Sequence, residues 1–299
     1  MLVILGLGPA SASGCEIVRK FGGENSEAGH LSAPNDIAND SKGNAWVLDA
    51  GHNRVQEFSA EGKSIRQFGT QGTGNSQFNS PTGIAVDSED HVWVSSGGSR
   101  VQEFSSEGAF IRSWNAPSEG EGSVTGIAVD PEGHVWLVGT FFEGEKFVEK
   151  HVEETTGTGE LIRRFGATGN GNGALKSPRD VATDSEGNVL VADTGNNRIQ
   201  EFNSAGEFVR KYGTEGSGNG QFKEPYGVTV DPEGRVWVAD TGNFRAERFS
   251  SKGTYQTQFG SPGPNEGQLA KPQGINVDTS GNVWLADTGN DRVQEWGGC

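Results

Sequence analysis

The sequence predicts an all-β protein, a six-bladed β-propeller of four-stranded antiparallel blades. Three observations predict it. A phrase of some 45 residues recurs six times, a full copy holds four short β-type segments with no helical period, and the last copy breaks off after three, where the N-terminus supplies the fourth.

The copies align without effort. "PNDIANDSKGNAWVLDAGHNRVQEFSAEGKSIRQFG" (34–69) matches "PRDVATDSEGNVLVADTGNNRIQEFNSAGEFVRKYG" (178–213) and "PYGVTVDPEGRVWVADTGNFRAERFSSKGTYQTQFG" (225–260). Copies beginning at Pro81, Thr125 and Pro272 complete the set. The anchor residue near the start of each phrase falls at Asp36, Gly83, Gly126, Asp180, Gly227 and Gly274, in steps of 47, 43, 54, 47 and 47. In the fifth copy the segments read "GVTVD", "RVWVAD", "RAERFS" and "TYQTQFG", parted by "PEG", "TGNF" and "SKG". Val, Ile, Trp and Phe favour a pleated, half-buried surface, and Gly, Asp, Asn and Ser favour tight turns, so each copy reads as a blade.

A ring of blades must close or leave two sheet edges exposed. The last copy stops at "QEWGGC" with three segments, while "CEIVRKFGGENSEAGHLSAPND" (15–36) matches "GEFVRKYGTEGSGNGQFKEPYG" (206–227). The expectation is that Ile17–Phe21 pairs with the final three strands. In that alignment Cys299 takes the place of Ala205 and Cys15 that of Gly206, consecutive positions of one hairpin turn. Adjacent turn positions relax to the ~4.4–6.8 Å Cα separation of a disulfide, so a Cys15–Cys299 bond is expected.

Composition narrows the function. The chain has 299 residues, 47 of them Gly, and 24 Lys+Arg against 40 Asp+Glu give a net charge of −16. Phosphate backbones are bound mainly by Lys and Arg, so a nucleic-acid partner is disfavoured. No run of apolar residues reaches the length of a membrane span. Residues 1–12 read as a truncated signal peptide, with Leu2–Leu7 as a short apolar stretch and Ala10-Ser11-Ala12 as a cleavage site, or as a disordered leader ahead of a propeller over 13–299. An acylated Cys15 fits less well. The expected location is secreted, cell-surface or periplasmic, where a disulfide persists.

The phrase Pro-x-Gly-Ile-Ala-Val-Asp, then Val-Trp-Val-Ala-Asp-x-Gly-Asn-x-Arg-Val and a closing Phe-Gly, resembles the NHL repeat over residues 15–299. That resemblance implies a six-bladed propeller whose first strand lines the central channel. It does not imply one activity: similar proteins include bacterial sensor ectodomains, teneurin-type adhesion modules, RNA-binding platforms and a metal-dependent amidating lyase.

Asp-x-Gly-Asn-x-Arg recurs as Asp49/Arg54, Asp193/Arg198, Asp240/Arg245 and Asp287/Arg292. Repetition around the ring favours a turn-ordering ion pair over a ring of ion sites. The five histidines (His30, His52, His91, His134, His151) scatter over both rims and form no metal-ligand pattern; no nucleophile elbow is present. A non-catalytic binding scaffold for a protein, peptide or carbohydrate, acting as a monomer, is therefore expected. The alternative is a metal-dependent lyase or hydrolase at the channel mouth, and a Ca or other divalent ion in the channel is the one cofactor left open.

The ligand-binding residues are expected at the slot before each anchor: Asn35, Thr82, Thr125, Arg179, Tyr226 and Gln273. Five residue types fill the six slots, which suits a selected surface and also drift. Asp36 and Asp180, half a turn apart, either point inward as an acidic pair or bond local backbone N–H groups. Phe141 and Phe142, in the irregular third copy, form an aromatic partner patch on the linker side or tuck between blades.

Overall fold

The computed structural model describes residues 14–23, 27–117, 122–143 and 146–299, with the side chains of 142–150 outside that description. The leader at 1–12 and the side chain of Phe142 therefore lie outside the described residues. Six four-stranded sheets are arranged as a propeller, with three two-stranded pairs in the linkers. Blade 1 consists of Pro34–Asn39, Ala45–Asp49, Arg54–Phe58 and Ser64–Phe68. Adjacent strands are antiparallel throughout the blades. The inner strands of the others are Gly83–Val86, Ser123–Val129, Val181–Thr183, Val228–Val230 and Ile275–Val277. Blade 6 takes its outer strand from Glu16–Gly22, which pairs antiparallel with Arg292–Gly297. Cys15 is disulfide-bonded to Cys299, with Cα atoms 4.5 Å apart.

The core lies between blades. The second strand of blade 1 contributes Trp46 and Leu48 to a cluster with Ile84, Val92, Val94 and Phe104 of blade 2. The arrangement recurs at blades 4 and 5, where Leu190 and Ala192 meet Val228, Val236 and Phe249. Second and third strands are buried on both faces, because each sheet is covered by a blade on either side. Outer strands meet solvent, with exposed aliphatics at Val18, Ile65, Ile111 and Val209 and an adjacent pair, Leu161 and Ile162, on blade 3.

Three side-chain devices repeat with the blades. On the linker side the Asp–Arg pairs stand at 2.6, 2.7, 2.9 and 2.7 Å. Each Asp also accepts a linker N–H, as from Ser32 and Lys176, and each Arg donates to linker carbonyls, as Arg198 does to Gly171 and Ala174. The motif thus pins the crossing to the next blade and is structural. On the opposite side an Asp organises the first hairpin turn. It accepts an indole N–H from the second strand: Trp93 to Asp87, Trp136 to Asp130, Trp237 to Asp231 and Trp284 to Asp278 at 2.8–2.9 Å, and Trp46 to Asp40 at 3.4 Å. A third-strand Glu pairs with an outer-strand Arg, as Glu57 does with Arg66 and Glu103 with Arg112.

Blade 3 departs from this. Its second and third strands extend to Val135–Glu143 and Lys146–Thr155. The register places Gly139 where Asp49 stands in blade 1, His151 where Arg54 stands and Glu153 where Gln56 stands. Phe141 is 1% exposed, packs in the core between blades 2 and 3 and stacks on His151 with ring centroids 4.4 Å apart. It therefore forms no surface patch. A register shift between Thr140 and Phe141 turns the ring towards the core.

Candidate binding face at the channel mouth

Inner strands run along the channel, so their side chains alternate between its lumen and the blade interfaces. The lumen is a cavity of about 210 Å³ whose wall includes Asp36, Asn39, Asp180, Thr229 and Asn276 among Val, Ile and Ala side chains. Asp36 and Asp180 border this cavity, and each is also fully engaged with backbone. Asp36 Oδ1 accepts the N–H of Ile37 and Oδ2 that of Ile84 in the next blade, both at 2.9 Å. Asp180 repeats the geometry with Val181 and Val228, again at 2.9 Å. The carboxylates are thus both inward and structural, each stitching an inner strand to the next.

Anchor glycines elsewhere follow from the same closeness. A Cβ on Gly274 would collide with Asp36, and one on Gly126 with Asp180. Burial pushes the Asp36 carboxyl up to about 7, against the partial compensation of its two N–H donors. Burial, and then the charge of Asp36, hold Asp180 well above the usual carboxylate range.

The residues in the slot before each anchor are largely tied to one another or to neighbouring blades. The Asn35 amide donates to the Thr82 carbonyl at 3.1 Å. The Thr82 hydroxyl donates to the Val124 carbonyl and that of Thr125 to Pro178, both across blade boundaries. Tyr226 reaches Asn35 with a side-chain hydrogen bond, and the Arg179 guanidinium lies over its ring, 5.6 Å from the centroid. Burial raises the Tyr226 phenol, while Arg179 and Asn35 oppose the shift. Arg179 itself is exposed. Gln273 Oε1 is buried and accepts no hydrogen bond among the described residues. The slot residues thus include an exposed cation, one aromatic ring and one acceptor without a partner among the described residues.

The opposite rim holds a grouping that sequence reasoning passed over as a possible metal site: Asp130, His134 and Glu154 present ligand atoms within 4.8 Å of one another. His134 Nδ1 lies 3.1 Å from Glu154 and 3.4 Å from Asp130. Blade 2 builds the same set from Asp87, His91 and Glu103. Each Glu also holds an Arg, Arg163 or Arg112, and each Asp an indole N–H. The grouping is the repeat's own turn device with His in one position.

Comparison with known proteins identifies the repeat type. The NHL repeat profile matches residues 175–202, 222–245 and 269–296. The chain carries NHL repeats. A 55-residue stretch is 44% identical to the E3 ubiquitin-protein ligase TRIM71 of Rattus norvegicus, covering 18% of this chain and 6% of that protein. Among solved structures, a streptogramin B lyase aligns with a TM-score of 0.65 over 95% of this chain and 97% of its own at 16% identity. A gluconolactonase from Xanthomonas campestris aligns at 0.66 over 98% of each chain and 14% identity. A Bacteroides thetaiotaomicron protein of unknown function aligns at 0.68 over 92% of this chain and 71% of its own, at 16% identity. At such identities the likeness establishes a shared fold. No helix among the described residues is long and apolar enough to cross a membrane.

Proposed function

We propose that this NHL propeller is a binding scaffold, exported to an oxidising compartment, that holds a protein, peptide or carbohydrate ligand against its linker-side face. One observation carries the reading. The mouth slot holds five residue types in six blades (Asn35, Thr82, Thr125, Arg179, Tyr226, Gln273) on strands otherwise built from the same repeated bonds. Arg179 supplies charge, Tyr226 a stacking face and Gln273 an acceptor, a set suited to an acidic or polyhydroxylated ligand. Asp36 and Asp180 are committed to backbone N–H groups, so they shape the mouth more than they contact a ligand. The Cys15–Cys299 bond supports the compartment.

The test is an array of peptides and oligosaccharides probed with the wild-type chain and with Arg179→Ala and Tyr226→Ala. Discrete binders whose signal falls at least about tenfold in both variants support the reading, a loss of ~1.4 kcal/mol each. Binders indifferent to both substitutions overturn it. The lyase and lactonase of similar fold set the catalytic alternative: turnover of a streptogramin B or of gluconolactone by the wild-type chain, with or without a divalent ion, would replace the scaffold with an enzyme.

A further inference from the structure

Blade 4 lacks its indole. The second-strand slot occupied by Trp46, Trp93, Trp136, Trp237 and Trp284 holds Leu190. Around Leu190 a cavity of about 380 Å³ opens between blades 4 and 5, on the side of the first hairpin turns. Its wall includes Asp184, Glu201, Arg210, Tyr212, Val230 and Val236. These occupy the positions that in blades 1 and 2 surround Trp46, namely Asp40, Glu57, Arg66, Phe68, Val86 and Val92.

The electrostatics of an indole site remain in place. Asp184 Oδ1 accepts the N–H groups of Glu186 and Asn188, and Oδ2 accepts the Asn188 amide at 2.9 Å. In blade 6 the same carboxylate oxygen, on Asp278, takes both an amide, from Asn282, and the Trp284 indole N–H. Asp184 has no indole to take; it is partly buried, as is Asp87, whereas Asp40, Asp130, Asp231 and Asp278 are buried. In blade 1 the Arg66 guanidinium lies over the Trp46 ring, 6.0 Å from the centroid. Its counterpart Arg210 borders the cavity, held more loosely by Glu201, at 3.3 Å against 2.5 Å for Arg66 and Glu57. The Tyr212 hydroxyl, present where blade 1 has Phe68, turns to Glu201.

The geometry points to the cleft between blades 4 and 5 as a binding site for a planar aromatic group carrying a ring N–H, of indole size. The N–H would donate to Asp184 Oδ2, the ring would lie on Leu190, Val230 and Val236, and Arg210 would cover its outer face. The group could be a free heteroaromatic or a tryptophan side chain of a partner. This site is separate from the channel mouth and stands independently of the function proposed there.

Indole is titrated into the 15N-labelled protein by NMR, beside benzothiophene, which has the same shape and no N–H, and beside N-acetyl-tryptophanamide and a tryptophan-containing peptide. Saturable shifts confined to residues around Asp184, Leu190 and Tyr212 are expected, with indole at least about fivefold tighter than benzothiophene. Leu190→Trp, alone and with Tyr212→Phe, should fold and lose this binding; Asp184→Asn should cost indole about tenfold and benzothiophene little. Tighter binding of the peptide than of indole assigns the site to a partner's side chain, the reverse to a free heteroaromatic. Absence of saturable shifts at millimolar indole, or equal binding by Leu190→Trp, overturns the assignment.

Discussion

Blades 3 and 4 both break the repeat, and they break it differently. In blade 3 the Asp–Arg–Gln set becomes Gly139, His151 and Glu153, and the losses are made good within the blade. Arg164 donates to Glu153 at 2.8 and 3.0 Å, His151 lies 3.2 Å from the same carboxylate, and Phe141 stacks on the imidazole. In blade 4 the tryptophan becomes leucine and the outer-strand aromatic becomes Tyr212, and a cavity remains beside the carboxylate and guanidinium that serve the indole in other blades. A departure that its neighbours repair is packing. One left unrepaired is a place for something else.

The sixth blade is the extreme of repair, since its outer strand comes from the other end of the chain and a disulfide spans the turn. Cys15→Ser or Cys299→Ser should therefore have the largest effect. For a sequence separation of 284 the chain-entropy account gives about 5 kcal/mol. Thermal unfolding with and without reductant measures it, and non-reducing peptide mapping should find the linked pair; two free thiols in oxidised protein would remove the bond.

Glu153→Ala comes next, because it removes the fully buried carboxylate that Arg164 and His151 share. A loss of about 4 kcal/mol is expected in urea unfolding. A loss below about 1 kcal/mol would mean that blade 3 is not repaired by this pair.

Blade 5 is half repaired. Glu247 stands where the other regular blades have Gln56, Gln102, Gln200 and Gln294. Its Oε1 accepts the Gly220 N–H as the glutamine oxygens accept theirs, but the position where Gln56 Nε2 donates to Asp49 is held by a carboxylate oxygen. Burial raises Glu247 to about 7, against Arg245, with Asp240 adding to the rise. Tyr255, on the outer strand, feels the same carboxylate. The folded pKa lies above the unfolded one, so protonation favours folding. That contribution is complete below about pH 4.5 and is lost as the pH rises through about 7. Glu247→Gln should change little at pH 5 and stabilise by about 2 kcal/mol at pH 8. An equal effect at both pH values would show that the group does not titrate there.

Much of this was legible in the sequence. Alternating Val, Ile and Trp between Gly–Asp turns gave the strands, and fourfold repetition marked Asp49/Arg54 and its counterparts as structural pairs. The fate of Phe141 was not legible, because a bulge after Thr140 decides which face the ring takes and hairpin register is not local information. Asp36 and Asp180 resisted a choice between inward and structural because their second N–H donors, Ile84 and Val228, belong to the following blades. The leucine in "NVLVAD", against "RVWVAD" and "NVWLAD", was in plain view. Its meaning depended on knowing that the slot's indole donates to an aspartate in the neighbouring turn.

The distinction between repaired and unrepaired departures is tested most directly by restoring the repeat residue in each blade and comparing thermal unfolding. Leu190→Trp returns an indole to a space bounded by its usual partners and should stabilise the protein by about 1 kcal/mol. Gly139→Asp returns the carboxylate to blade 3, where a Cβ would collide with the Ser123 carbonyl, and should destabilise by about 3 kcal/mol or more. Opposite signs are the predicted result; destabilisation of similar size in both would contradict the account.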